Sequence, residues 1–232
     1  MTKKKVIVLI VEGITDQMIF EEYIGEIVNH HSFFVKVING DVFTSKSYAA
    51  LSPKQIVGEI MKIVKEQNKF LPSDIALIAQ LTDTDGVFIP VEDYTVSDEC
   101  QNDTKTYWYD LENKQVCVES QDKLEHLRDI WYKKRQKILA LRKGVFYSSA
   151  KIPYFLYYNS LNLEHVTQND ILKDEEKQIS AVRFIDDLGE DFQRFIDFFE
   201  HKSVGKDFDE SWDFIIGSSE WNVSKSNVKF FG

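Results

Sequence analysis

A continuous apolar run near the start of the chain most constrains the fold. Residues 5–11, KVIVLIV, are rich in β-branched residues and carry no polar residue after Lys5. Such a run is typical of a strand buried on both faces, as at the centre of a parallel sheet. The run stops at Glu12 and Gly13, and apolar residues then recur at helical spacing at Ile19, Phe20 and Tyr23. The sequence therefore predicts a central strand followed by an amphipathic helix.

The alternation of strand and helix continues along the chain. Residues 33–40 (FFVKVING) and 74–81 (DIALIAQL) predict two further strands, and a helix opens between them at Ser52 and Pro53. A short aromatic strand is predicted at 151–158, KIPYFLYY. This order predicts an α/β fold, with a doubly wound, mainly parallel sheet and helices on both of its faces.

Acidic residues follow two of the predicted strands. Glu12 comes directly after the first strand, and Asp83 and Asp85 come after the third. Each segment alone also suits an ordinary turn. In doubly wound sheets, however, ligands bind outside the carboxyl ends of the strands, which would bring these acids together. Because close carboxylates repel unless a cation neutralises them, and because oxygen ligands suit Mg²⁺ or Mn²⁺, the pattern predicts a metal site.

These motifs carry a family resemblance. VEGITD followed by LTDTDG, with one strand and two helices between them, resembles the Toprim domain of topoisomerases, bacterial primases and OLD-type nucleases. The resemblance covers about residues 5–90. It implies a Toprim-like fold in which Glu12, Asp83 and Asp85 hold Mg²⁺ or Mn²⁺ and support phosphodiester cleavage.

Features missing from the sequence narrow the resemblance. The chain has no room for a topoisomerase DNA gate, no cysteine zinc ribbon of a primase and no P-loop. It therefore looks most like the OLD, RloB and AbiL group of phage-defence (abortive infection) nucleases. That resemblance implies a divalent-metal-dependent hydrolase of DNA or RNA, with a separately encoded ATPase as a partner.

Further site residues come from the same resemblance. RloB-like proteins carry a Ser-x-x-x-Glu element after the last core strand, which Ser160 and Glu164 match, so Glu164 is implied as a fourth metal-site acid. His165 departs from the family pattern and suits a packing role. OLD-type nucleases use a late lysine to stabilise transition-state charge, a role open to Lys225 or Lys229. Asp16 is expected to cap the first helix or to support the metal ligands from behind.

We predict a single Toprim-like domain over residues 1–232. Its core spans about 5–90 and 145–166, an insertion occupies about 91–144, and the helical C-terminal region covers about 167–232. The insertion should contain a β-hairpin within 104–120 and a helix over 123–143. The C-terminal region carries a stripe expected to form core or a homodimer interface: Ile179, Val182, Ile185, Leu188, Phe192, Phe195 and Phe199.

Charge points in two directions. The net charge of -10 and the pI of about 5.0 disfavour non-specific binding to nucleic acid. The segment 123–143, however, has eight Lys or Arg against two acids. It predicts either the solvated face of an amphipathic helix or a phosphate-binding surface, for which the candidate residues are Lys133, Lys134, Arg135 and Lys137.

The spacing of the cysteines and the length of the apolar runs indicate the cellular compartment of the protein. Cys100 and Cys117 lack metal-type spacing and are too few for a disulfide framework, so we expect ordinary reduced side chains. No apolar run approaches the roughly 20 residues of a membrane span, and no membrane contact is expected. These observations favour a cytoplasmic protein.

Two other functions stay open. DTDGV, from Asp83 onward, also resembles the first motif of haloacid-dehalogenase-type phosphatases, in which the first Asp is a nucleophile and the second a general acid. That motif normally ends the first core strand, and the assignment leaves Glu12 unexplained. The other alternative is a non-catalytic Toprim-like binding subunit.

Overall fold

The protein has an open, mixed α/β architecture in the part of the chain that the computed structural model describes, residues 5–29, 33–39, 43, 51–68, 70–100, 107–147 and 151–230. The strands of this part are β1 (Lys5–Val11), β2 (Phe33–Asn39), β3 (Ile75–Asp83), β4 (Tyr94–Val96), β5 (Tyr107–Asp110), β6 (Gln115–Val118), β7 (Val145–Tyr147) and β8 (Ile152–Asn159). The helices are α1 (Ile14–Asn29), α2 (Pro53–Asn68), α3 (Gln121–Leu141), α4 (Leu163–Gln168), α5 (Asp174–Leu188), α6 (Phe192–Lys202) and α7 (Phe208–Gly217). The predicted α/β class is confirmed. Predicted residues 40 and 104–106 lie outside the described residues.

The main sheet has five strands in the order β2-β1-β3-β8-β7. Neighbouring strands from β2 to β8 are parallel, and β7 joins the edge antiparallel to β8. Asp83 at the end of β3 pairs in register with Asn159 at the end of β8. The carboxyl ends of β1, β3 and β8 therefore meet at one edge of the sheet.

Helices cover both faces of this sheet. Val8 and Ile10 of β1 belong to a hydrophobic cluster with residues of α2 and α3, whereas Leu9 and Val11 belong to a second cluster with residues of α1, α5 and α6. Successive side chains of a strand point to opposite faces, so a strand buried on both sides must be apolar throughout. The unbroken run KVIVLIV has this form.

The insertion contains the predicted hairpin and helix, together with strands that the sequence did not reveal. β5 and β6 pair antiparallel as predicted, and β4 adds a parallel strand beside β6. The expectation of reduced cysteines was wrong, because Cys100 and Cys117 form a disulfide with a Cα–Cα distance of 5.4 Å. The pairing of β4 with β6 brings the segment after β4 next to Cys117, a proximity invisible in the spacing of the two cysteines.

The predicted C-terminal stripe was partly wrong. Phe195 and Phe199 are buried, but Ile179 and Val182 are 57% and 45% exposed. Gly189, at a positive φ of 66°, ends α5, and the Asp191 side chain caps α6 by accepting the Gln193 N–H. Because the helix breaks there, α5 packs through a different face, formed by Ala181, Phe184 and Leu188.

The chain end packs against β8. Ser226 forms a β-bridge with Asn159, and the Asn227 side chain accepts the Tyr158 N–H at 2.7 Å. This contact fixes the end of β8, where the chain turns toward α4. Within the described ranges, no helix combines the length and apolar character needed to cross a membrane.

Candidate functional site

The loops after β3 and β8 are joined at the carboxyl edge of the sheet. The Thr84 N–H donates to the Asn159 carbonyl and the Asp85 N–H to the Leu161 carbonyl, both at 2.9 Å. Asp85 has a φ of 44°, in the left-handed region that aspartate tolerates better than most residues. Together with Glu12 after β1, this places the three predicted acids at the same edge.

Glu164 faces this edge from the first turn of α4. It is 6% exposed, and its Oε1 accepts a hydrogen bond from Thr15 Oγ1 of α1 at 3.3 Å. Asn162 caps α4 by accepting the His165 N–H at 2.8 Å. The structure thus brings Glu164 near the start of α1.

His165 and Ser160 have structural positions. The His165 ring nitrogens lie 3.1 and 3.2 Å from the carbonyl oxygens of Ser160 and Asn222, and burial lowers the pKa of His165. Ser160 Oγ donates to the Val223 carbonyl. Both residues therefore anchor the chain end, in line with the packing role expected for His165.

Asp16 is a member of the site for which the sequence left two roles open. Its Oδ2 accepts the Gly13 N–H at 3.0 Å, so it performs the expected capping role. It is also 4% exposed, and burial together with Glu164 and Glu12 raises its pKa to about 7. We call Glu12, Asp16, Asp83, Asp85 and Glu164 the acidic cluster.

The pKa of Asp83 is raised for the same reasons as that of Asp16. Burial and the neighbouring Asp16, Glu12 and Asp85 raise its pKa well above the ordinary value, and Lys134 works in the opposite direction. Burial disfavours the charged form, and repulsion by nearby carboxylates adds to that effect. The acidic cluster therefore favours the protonated form of Asp83.

Lys134 is the cation within the cluster. Its side chain is 0% exposed, and its Nζ lies 2.7 Å from Asp85 Oδ2 and 3.2 Å from Glu12 Oε2. Burial alone would lower the pKa of Lys134, but Asp85, Glu12 and Asp83 raise it overall. Its prediction as part of an exposed phosphate-binding surface was wrong, because α3 turns this position inward.

The other three residues of that predicted surface are dispersed. Lys137 is 5% exposed, and its Nζ donates to the Phe43 carbonyl at 3.0 Å, so it too was wrongly placed on the surface. Arg135 lies over the Phe88 ring, and exposed Lys133 pairs with Asp129. The helix therefore carries no continuous surface formed by all four residues.

Two cavities open beside the acidic cluster, and Asp85 and Tyr107 line both. The larger, of about 780 Å³, is also lined by Glu12, His126 and Trp131 among others. The smaller, of about 310 Å³, is bounded in part by Asp83, Trp108, Lys173 and Lys177. The acids thus border space that a ligand can enter.

The donor set suits a hard divalent cation. All five members of the acidic cluster offer carboxylate oxygens, the ligands that Mg²⁺ and Mn²⁺ prefer, and burial together with the neighbouring carboxylates raises the pKa values of Asp16 and Asp83. Among the described residues, however, no three His, Cys, Asp or Glu side chains stand close enough to hold a metal ion as they are arranged. The cluster fits such an ion by its chemistry, while Lys134 lies between two of the predicted ligands.

One signal for Lys134 was present in the sequence. In the sequence of α3, the apolar residues Leu127, Trp131, Ile138 and Leu141 recur at helical spacing, and position 134 falls between them at the same spacing. A lysine there must be buried, and a buried charge requires a charged or hydrogen-bonding partner. Thr82, whose Oγ1 donates to Glu12 Oε1, was also missed, since the sequence gives no sign of that contact.

Comparisons with protein-family models, with curated proteins and with solved structures found no match.

Proposed function

We propose that this protein is a divalent-metal-dependent nuclease with a doubly wound, Toprim-like fold, which hydrolyses phosphodiester bonds of DNA or RNA. One observation carries the proposal: Glu12, Asp83 and Asp85 lie at the carboxyl ends of the neighbouring parallel strands β1 and β3, at an edge where burial and neighbouring carboxylates raise the pKa of Asp83. Carboxyl ends of parallel strands are where open α/β sheets bind ligands.

The proposed ligands are Glu12, Asp83 and Asp85, with Glu164 as a fourth. A bound Mg²⁺ or Mn²⁺ supplies Lewis acidity for water and phosphate at such a site. The Thr82 hydroxyl donates to Glu12, and the Thr15 hydroxyl donates to Glu164. These two hydroxyls orient the carboxylates without adding charge.

The smaller cavity supports a phosphate-bearing substrate. It combines Asp83 and Asp85 with Lys173 and Lys177. Burial opposes the charge of Lys177, but Glu164, Asp174 and Asp83 raise its pKa overall, so this lysine is cationic and lies toward the acids. We propose that Lys173 and Lys177, with the exposed Lys133, contact the phosphate backbone.

The same proposal includes the cellular setting. The protein would act as the effector of a phage-defence system, with a separately encoded ATPase as activator and with a homodimer as its assembly. The phosphatase alternative is less favoured because Glu12 contacts both Thr82 and Lys134 and so belongs to the same cluster as Asp83.

The test is cleavage of plasmid DNA and total tRNA with Mg²⁺ or Mn²⁺ by the wild type, Glu12→Gln and Asp83→Asn. We expect both variants to lose more than the roughly 10–100-fold that removing a partner behind a metal ligand costs. Asp209→Asn, an exposed acid in the first turn of α7, serves as the matched control. Thermal unfolding of each variant checks the fold.

Two outcomes would contradict the proposal. Cleavage that persists in EDTA would exclude the metal requirement. Hydrolysis of p-nitrophenyl phosphate alone, retained in Glu12→Gln, would favour the phosphatase instead.

A further inference from the structure

We infer that Lys134 is a built-in cation that takes the place of a second divalent ion between Glu12 and Asp85, so that the wild-type site holds one ion. The ammonium then performs at this pair the charge neutralisation that a second metal ion performs in two-metal sites. The inference deepens the proposed function and rests on it for the identity of the ion.

The geometry of Lys134 carries the inference. Its Nζ is 2.7 Å from Asp85 Oδ2 and 3.3 and 3.2 Å from the two oxygens of Glu12. Glu12 lies 122 positions before Lys134 in the sequence, and Asp85 lies 49 positions before it. The ammonium therefore joins the ends of β1 and β3. A divalent ion between the same two carboxylates would have to displace this group or lie directly against it.

The surroundings of Lys134 hold it in place. The side chain is 0% exposed, and the neighbouring positions of the same helix face, Trp131 and Ile138, are buried in the core. A buried ammonium cannot move to solvent without leaving two carboxylates unpaired, and breaking a buried pair is strongly unfavourable. Lys134 is therefore a fixed part of the site.

The remaining acids lie outside this pair. Asp16 and Glu164 are 4% and 6% exposed, and Thr15 binds Glu164 at 3.3 Å. Neither makes a described ion pair with Lys134. Asp16 and Glu164 therefore lie apart from the two carboxylates that Lys134 contacts directly.

The experiment counts Mn²⁺ ions bound per chain, by calorimetry and by electron paramagnetic resonance, in the wild type, Lys134→Gln and Lys137→Gln. Lys137→Gln is the matched control, because it removes a buried lysine of the same helix whose Nζ donates to the Phe43 carbonyl. We expect Lys134→Gln to bind one more Mn²⁺ than the wild type, or to bind Mn²⁺ at least about 10-fold tighter, an effect of about 1.4 kcal/mol. The control should match the wild type.

The outcomes separate the inference from the proposed function. Equal number and affinity in Lys134→Gln and the wild type, with nuclease activity intact, overturns the inference alone, as does weaker binding in the variant. Binding only to Lys134→Gln refutes metal-dependent activity of the wild type and, with it, the single ion that the inference assigns to the wild-type site. Binding to none of the proteins overturns both.

A second measurement covers loss of stability in the variant. If Lys134→Gln is less stable because Glu12 and Asp85 have lost the ammonium, Mn²⁺ should raise the melting temperature of the variant more than that of the wild type. Equal increases would overturn the inference.

Discussion

Replacing Asp16 by asparagine should stabilise the metal-free protein at neutral and alkaline pH. Burial, Glu164 and Glu12 raise the pKa of Asp16 from its ordinary 3.8 to about 7. Between those two values the folded state holds a proton that the unfolded state has released. The stability contributed by this proton is fully present below pH 3.8 and is lost as the pH rises through about 7.

The size of the effect follows from the same two values. A difference of about 3 pH units at about 1.36 kcal/mol each gives about 4 kcal/mol. This is an upper limit, because water that enters the region when Asp16 ionises reduces the cost of burying its charge. Asparagine keeps the neutral shape, and its amide oxygen can still accept the Gly13 N–H. We therefore expect Asp16→Asn to gain about 2–4 kcal/mol in free energy of unfolding at pH 8.

Urea unfolding in EDTA at pH 5 and pH 8 measures this gain. The advantage of Asp16→Asn over the wild type should be larger at pH 8 than at pH 5. Asp209→Asn is the control, because Asp209 also lies in the first turn of a helix but is exposed, and it should change stability by less than about 0.5 kcal/mol. An Asp16→Asn variant no more stable than the wild type at pH 8 would refute the argument that burial and repulsion strain this carboxylate.

Two further predictions concern the framework around the site. A Cβ at Gly86 would lie 2.2 Å from carbons of the Trp131 ring, whereas one at Gly58 in α2 would meet nothing within 4 Å. In urea unfolding, Gly86→Ala should therefore lower the free energy of unfolding by about 1–3 kcal/mol, and Gly58→Ala should raise it by about 0.5–1 kcal/mol. Equal effects would contradict the close packing against Trp131. Protein that is denatured without a reductant should show no reactive thiol. Replacing Cys100 and Cys117 together by serine should lower the free energy of unfolding by about 3 kcal/mol, because the disulfide closes a loop between residues 17 positions apart. Two titratable thiols in the unreduced chain would contradict the disulfide.

Long buried strands were predictable from the sequence, and short edge strands were not. β1 and β3 are apolar over most of their length because helices cover both of their faces, and this leaves a continuous signal. β4 and β7 have three residues each, too few to show a period. Only their partners, β6 and β8, define them as strands.

The placement of the acids was predictable for a topological reason. Glu12 and Asp83 are far apart in sequence, but parallel neighbouring strands must bring their carboxyl ends to one edge. Asp16 shows the limit of this reasoning, since Asp16 has the sequence signature of an ordinary helix cap. The place of Asp16 in the acidic cluster depends on Glu164. Glu164 is brought to the site by a separate strand and helix and by its contact with Thr15.

Lys134 was misplaced because a count of charges along a helix carries no information about its faces.

The acidic cluster contains five carboxylates and the structure gives it one fully buried ammonium, so full ionisation would leave four negative charges in a largely buried region. Protonation of Asp16 and Asp83 and binding of a divalent ion are alternative ways to remove that excess. Because both act on the same carboxylates, each must weaken the other. The pH dependence of stability expected from Asp16 should therefore diminish when Mg²⁺ is bound, and binding of the ion should release protons near neutral pH.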